Sequence, residues 1–373
     1  MRALKNILVT GGAGFIGGNF IRYLLEKAPH FTGRIINLDA LTYAGNRMSL
    51  ADIETRYGPA APGEAAPGTK TRYFFEHGDI CDRPLAESIF KKYDIDTVVH
   101  FAAESHVDRS ILGPEAFIKT NVMGTFVLLE TARDAWKDSS GKLRRDTLFH
   151  HISTDEVYGS LGETGYFSET TPYDPRSPYS ASKAASDHLV MAYHHTYGLP
   201  ITISNCSNNF GPFQFPEKFI PLQILNILEG KPLPVYGNGK NIRDWLYVED
   251  HNAAVWSIMQ NSEAGEKYNI GGDNEWENIK LLETLIDIVA EKAKLDPVKV
   301  RSTISFVKDR PGHDLRYAID CSKIKQELGW NQTFSFKEGL SQTADWYMAN
   351  PDWTGSVRSG EYQTWMKKNY TDR

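Results

Sequence analysis

Asn6-Ile7-Leu8-Val9-Thr10-Gly11-Gly12-Ala13-Gly14-Phe15-Ile16-Gly17 decides how this chain is read. An apolar, β-rich run ends in a cluster of glycines, and a helical pattern over residues 15–27 begins at once. The glycines satisfy both a GxGxxG and a GxxGxxG spacing. Glycine permits the tight turn and lets a pyrophosphate approach the helix N-terminus, where free N–H groups and the helix dipole favour anions. Gly11, Gly14, Phe15, Ile16 and Gly17 are therefore candidate cofactor contacts. Asp39 closes the next strand-like run about twenty residues further on, the spacing of a dinucleotide fingerprint. A carboxylate there accepts hydrogen bonds from ribose hydroxyls and repels a 2′-phosphate, which favours NAD over NADP.

Outward from this loop the pattern repeats. Strand-like runs lie at residues 34–38, 73–76, 97–102, 147–152 and 200–204, with helical patterns at 15–27, 122–136 and 180–197 between several of them. Short buried strands alternating with helices predict βαβ units and a parallel sheet. The expected fold is α/β: a Rossmann-type, doubly wound parallel sheet with a smaller C-terminal substrate-binding α/β domain. After Gly211 proline and glycine become frequent and the alternation fades. This places the first domain at 1–210 and the second mainly at 211–373, with some segments shared. Residues 57–70, rich in Ala, Pro and Gly, read as an exposed, mobile loop.

Ligands bind beyond the carboxyl ends of strands in such sheets. Asp79-Ile80 ends the third strand-like run, where an adenine would lie, although Asp79 is equally at home as a turn residue. Phe101-Ala102-Ala103-Glu104-Ser105 ends the fourth, with small residues that leave room for a cofactor.

Bulk properties narrow the partners. The net charge is −6, so no global basic field is available to hold nucleic acid. No apolar run approaches the roughly 20 residues of a membrane span, and the opening residues lack the features of a secretory signal. Cys81, Cys206 and Cys321 have no metal or redox spacing and read as reduced, mostly buried thiols in a cytoplasmic protein. The adjacent pairs His150-His151 and His194-His195 point in different directions on a strand or helix, so no metal is expected. His106 and Asp108 lie near Ser105, but no nucleophile elbow supports a hydrolase triad.

Tyr179-Ser180-Ala181-Ser182-Lys183 is a YxxxK spacing in a helix expected to start after Pro178. Residues four apart share a helix face. An ammonium beside the phenol is expected to lower its pKa, so that Tyr179 can take a proton from a sugar hydroxyl. Upstream stands Thr154-Asp155-Glu156-Val157-Tyr158-Gly159. Adjacent carboxylates at an active-site strand end can divide general acid and general base work if their environments separate their pKa values. Removal of water from a sugar needs such a pair.

GGAGFIG, the strand ending in Ser153-Thr154 and the YxxxK resemble the extended short-chain dehydrogenase/reductase family of sugar-nucleotide enzymes, over nearly the whole chain. The resemblance implies a Rossmann domain with tightly bound NAD recycled at each turnover, and a smaller domain for the nucleotide-sugar. TDEVYG is similar to the loop of that family's 4,6-dehydratases acting on thymidine-diphosphate glucose. The roles implied are Thr154, Tyr179 and Lys183 for oxidation at C4, Glu156 as base at C5 and Asp155 as acid at C6. By the same resemblance Asn208, Lys218, Tyr236, Arg243, Asn278, Arg310 and His313 contact the substrate, and Ser105, Thr154, Phe219 and Pro234 join them. Arg243 and Arg310 suit a pyrophosphate because guanidinium binds it bidentately. Leu41, Thr42, Thr120 and Asn209 complete the candidate cofactor set with Tyr179 and Lys183. A homodimer is implied, pairing the helices around 122–136 and 180–197 into a four-helix bundle. Two rivals are a nucleotide-sugar 4-epimerase, which has no need of Asp155-Glu156, and a non-catalytic NAD-binding protein, against which Thr154, Tyr179 and Lys183 argue.

Overall fold

Strands that are apolar at nearly every position need cover on both faces. A computed structural model, describing residues 2–59, 71–309 and 314–358, supplies that cover. Residues 60–70 of the Ala/Pro/Gly-rich stretch, and the candidate substrate contacts Arg310 and His313, lie outside the described residues. The strands are β1 (Asn6–Thr10), β2 (Arg34–Asp39), β3 (Tyr73–His77), β4 (Thr97–His100), β5 (Leu148–Thr154), β6 (Ile201–Cys206), β7 (Asn208–Phe210), β8 (Leu233–Tyr236), β9 (Ile242–Tyr247), β10 (Lys267–Ile270), β11 (Glu275–Glu277) and β12 (Ile304–Val307). Among the described residues, one sheet of seven strands has the order β10-β6-β5-β4-β1-β2-β3, and every neighbouring pair is parallel. The order reverses between β1 and β4, which opens the crevice where ligands bind in doubly wound sheets.

Alternation along β1 sends Ile7 and Val9 to one face and Leu8 to the other. The first face is covered by helices Phe15–Glu26 and Val248–Asn261 through Phe20, Leu24, Val255 and Trp256. The second is covered by helices Arg83–Tyr93, Thr125–Ala135 and Pro178–Tyr197 through Phe90, Leu128 and Val190. A separate core around Phe210, Ile224, Leu285 and Leu340 binds the smaller sheets β11-β9-β7 and β12-β8. The chain beyond residue 211 is thus not confined to the second layer, since Val248–Asn261 and β10 return to the large sheet.

Boundaries differ in ways that matter for the site. β3 ends at His77 and β4 at His100, so Asp79-Ile80 and Phe101–Ser105 are loop residues beyond the strands rather than strand ends. The helix expected over 122–136 runs from Thr125 to Ala135, preceded by a π-helical turn, Ile118–Gly124. Pro178 is the first residue of its helix, not the residue before it. Ser177 closes a capping box with Ser180 there, and Gly198, at φ 70°, ends the helix.

Candidate active site

The glycine loop is tied to the sheet by its own backbone. Gly11 has φ 72° and donates its N–H to Leu38 O at 2.9 Å. A Cβ on Gly11 would stand 2.7 Å from Ala102 Cα, and one on Gly17 2.5 Å from Gly11 O, so neither position admits a side chain. Gly14 caps helix Phe15–Glu26 with no side chain over its N–H groups, leaving the helix end open to an anion. Asp39 is buried and accepts from Ala13 N and Leu41 N, each at 2.8 Å, with lone pairs left for ribose hydroxyls. The cradle therefore fits a dinucleotide without a 2′-phosphate.

This loop, the ends of β2, β4 and β5 and the start of the YxxxK helix enclose a cleft of about 350 Å³. Most of the candidate cofactor residues line it, Thr42, Asp79, Ile80, Thr120 and Asn209 among them, as do all five candidate catalytic residues. Of the substrate set, Ser105, Thr154, Asn208 and Lys218 do so. Leu41 supports Asp39 through its N–H and does not itself face the cleft. Phe219, Pro234, Tyr236, Arg243 and Asn278 are likewise not among its walls. Arg243 is buried, donates to the carbonyls of Ile242 (2.7 Å) and Asp314 (2.9 Å), and lies 4.3 Å from the Tyr317 ring centre.

β5 is buried throughout and delivers Thr154 to the cleft. A single turn, Asp155–Tyr158, follows, with Thr154 Oγ1 accepting from Glu156 N at 3.3 Å. Gly159, at φ 95°, lets the chain pass against Asp174, where a Cβ would sit 2.7 Å from the carbonyl oxygen. Thr154 Oγ1 lies 3.2 Å from Asp155 Oδ1, and Asp155 Oδ2 has no hydrogen-bond partner among the described residues. Burial, then the neighbouring Glu156 and Asp244 carboxylates, push the Asp155 carboxyl well above its ordinary range, against Arg243 and the Thr154 hydroxyl. A buried carboxylic acid that keeps its proton at neutral pH can donate it.

The YxxxK pair behaves differently from the sequence expectation. Burial and then Glu156 hold the Tyr179 phenol well above its ordinary value, with the Thr154 hydroxyl opposing. Lys183 Nζ donates to Ile152 O at 2.8 Å and lies 3.5 Å from His151 Nε2. The phenol is lifted because it is enclosed beside a carboxylate, and the ammonium is anchored on strand β5. The pair His150-His151 does face opposite ways: His150 meets Thr202 and Ser204, and His151 meets Lys183 and Asp187.

Several residues in or behind the cleft walls escaped the sequence reading. Tyr43 lies under the Arg109 guanidinium, 3.7 Å from its ring centre, and Arg109 Nε is 3.5 Å from the buried Glu217. Asn121, in the π-helical turn, bonds to Glu104 N and O and to Ser182 Oγ at 2.8–3.0 Å, clasping the β4 loop to the YxxxK helix. Glu217 stood beside Lys218 in the sequence; Asn121 carried no signal, because its role depends on where a helix distorts.

If Asp155 acts as a proton donor, elimination is present below its pKa in the folded protein and lost above it. A descending alkaline limb in turnover is expected, and Asp155→Asn should remove the limb together with most of the rate. A pH–rate profile of product formation that stays flat to high pH contradicts this.

The matched family model is described as GDP-mannose 4,6 dehydratase and spans residues 8–343. The chain is 51% identical over 376 residues to the dTDP-glucose 4,6-dehydratase 1 of Escherichia coli strain K12, covering 98% of this chain and 99% of that one. It is similar, at TM-score 0.81 and 43% identity over 94% of this chain and 99% of the other, to a dTDP-glucose 4,6-dehydratase double mutant from Streptomyces venezuelae solved with NAD and a second ligand. A UDP-glucose 4-epimerase from Thermotoga maritima, solved with UDP-glucose, follows at TM-score 0.77 and 26% identity, covering 93% and 99%.

Proposed function

The chain belongs to the GDP-mannose 4,6-dehydratase family, and from that membership we infer an NAD-dependent hydro-lyase that converts dTDP-glucose into dTDP-4-keto-6-deoxyglucose and water. The observation that carries the reading is the buried Asp155 beside Glu156, at the end of β5 and in the same cleft as Tyr179. An epimerase has no use for a proton donor at C6. We assign the sugar-nucleotide mainly to the half after residue 211 and the dinucleotide to the half before it.

Gly11, Gly14, Gly17 and Asp39 would hold NAD, whose chemistry when bound would be that of a reversible hydride acceptor for C4 and C6. The protein moves the protons. The Thr154 hydroxyl, hydrogen-bonded to Tyr179, opposes the upward shift of the phenol and so favours its ionised form; the Tyr179 phenolate takes the C4 hydroxyl proton as the ketone forms. That ketone acidifies C5–H, and Glu156 takes the C5 proton. Asp155 gives its proton to the C6 hydroxyl, which leaves as water, and Glu156 returns its proton to C5 when C6 is reduced. Incubation with dTDP-glucose and UDP-glucose side by side, with mass detection, tests the reading. Loss of one water from the thymidine sugar supports it; a product of unchanged mass contradicts it.

A cytoplasmic homodimer accords with this function. Cys81, Cys206 and Cys321 are free thiols. Ile111, Leu112, Ile118, Met123 and Tyr197 expose between 39% and 55% of their surface on the helical segments 107–124 and the end of helix Pro178–Tyr197. An apolar surface of this kind is best covered by a partner. Light scattering at micromolar concentration should give twice the chain mass; a clean monomer contradicts it.

A further inference from the structure

Asp187 stands one helical turn beyond Lys183 and is only 1% exposed. Its Oδ2 accepts from Ser153 Oγ and Tyr173 OH, each at 2.8 Å, and from Asn205 Nδ2 at 3.4 Å. Asn205 Nδ2 also donates to Thr154 O at 3.1 Å. Oδ1 lies 3.2 Å from His151 Nε2, and the same nitrogen is 3.5 Å from Lys183 Nζ. One buried carboxylate therefore touches β5, β6, the segment carrying Tyr173 and the YxxxK helix. We propose that Asp187 is the positioning residue of the oxidation step, the fixed buried carboxylate that faces Lys183 across His151 and holds the Thr154 strand end in register with Tyr179.

The charges around it support that role. Burial, then the Lys183 ammonium, lower His151 to about 4, so the imidazole is neutral at working pH and does not cancel the carboxylate. Burial raises Asp187, but His151, Lys183 and the Ser153 hydroxyl outweigh it and hold the carboxyl below its ordinary value. Burial lowers Lys183, and Asp187 is the foremost opposing influence, ahead of Cys206 on β6. The other groups facing this pair are His100 on β4, itself lowered by burial, and Tyr158 and Tyr173, both raised by burial. Lys267 on β10 lies 4.8 Å from the Tyr173 ring centre; burial lowers it, and Asp187 opposes that shift. Asp155, Glu156 and Tyr179 stand on the cleft side. Asp187 thus opposes the burial that lowers two lysines, and only Lys183 belongs to the catalytic set. A carboxylate needed for packing alone could be replaced by its amide; one needed for charge could not.

The inference rests on the proposed function and on the part in C4 oxidation that the family resemblance implies for Lys183. The test is the appearance of NADH absorbance when the NAD-loaded enzyme is mixed with dTDP-glucose, across pH. Asp187→Asn keeps the shape and removes the charge. NADH formation is expected to slow about tenfold or more, with its descending limb moved to lower pH by about one unit or more, the equivalence of one pKa unit to a tenfold change. KM and melting temperature should stay near wild type. A folded Asp187→Asn protein with the wild-type profile, or one slowed equally at every pH, overturns the proposal. Tyr173→Phe keeps the charge but removes one hydrogen bond that holds Asp187 ionised. Its ascending limb should move to higher pH, and an unmoved limb overturns the proposal even if Asp187→Asn does not fold. A wild-type enzyme that forms no NADH with dTDP-glucose overturns the functional reading instead.

Discussion

Glu156→Gln is expected to form enzyme-bound NADH on addition of dTDP-glucose and then stall, with product formation slowed by roughly 10²–10⁴, the usual cost of losing a positioned general base. Glutamine fills the same half-buried space on the turn after β5 and leaves Thr154 free to accept from residue 156 N. It cannot take the C5 proton, so the 4-keto sugar accumulates on the enzyme. The substitution also removes one of the carboxylates that push Asp155 upward. The proton donor is then less firmly protonated, which deepens the stall at alkaline pH. Absorbance for NADH and mass for released product separate the two steps. Product at the wild-type rate would remove the dehydratase role of this pair.

Tyr179→Phe should fail earlier. Phenylalanine preserves the packing of the ring, 6.2 Å from Phe117, and removes only the hydroxyl. The C4 hydroxyl proton then has no acceptor, so NADH absorbance should be reduced by roughly 10²–10⁴ as well. Placed side by side, the two variants give opposite NADH signals with the same lack of product. A Tyr179→Phe protein that accumulates NADH like Glu156→Gln would show that another group takes the first proton.

What could be read from the sequence was local. The turn from β1 into helix Phe15–Glu26 is a contiguous run whose glycines answer to one backbone geometry, and Asp39 lies one strand away. The acid pair and the YxxxK are likewise contiguous, and their spacing fixes which face they share. The protonation states were not legible, because they come from neighbours distant in the chain. Asp155 is pushed upward by its burial and by Glu156, and further by Asp244 on β9, and Tyr179 is raised where the motif alone suggested lowering. Lys183 is anchored on Ile152 O, a contact that exists only once the helix lies on β5. Arg243, expected as a pyrophosphate ligand, also donates to the backbone carbonyls of Ile242 and Asp314 and lies over the Tyr317 ring, contacts that its own sequence neighbours do not signal. Asp187 did leave a sequence signal, an acid four residues after the motif lysine, but such a spacing is more often an exposed helix pair than a buried counter-ion.

The central claim is that one cleft oxidises C4, expels water across C5 and C6, and reduces C6 with the same hydride. The most direct measurement is the conversion of dTDP-glucose carrying deuterium at C4, read by mass and by the position of the label. The account predicts a product lighter by one water in which the deuterium has left C4 and is recovered at C6. A product of unchanged mass, with deuterium back on C4 in either configuration, would contradict it.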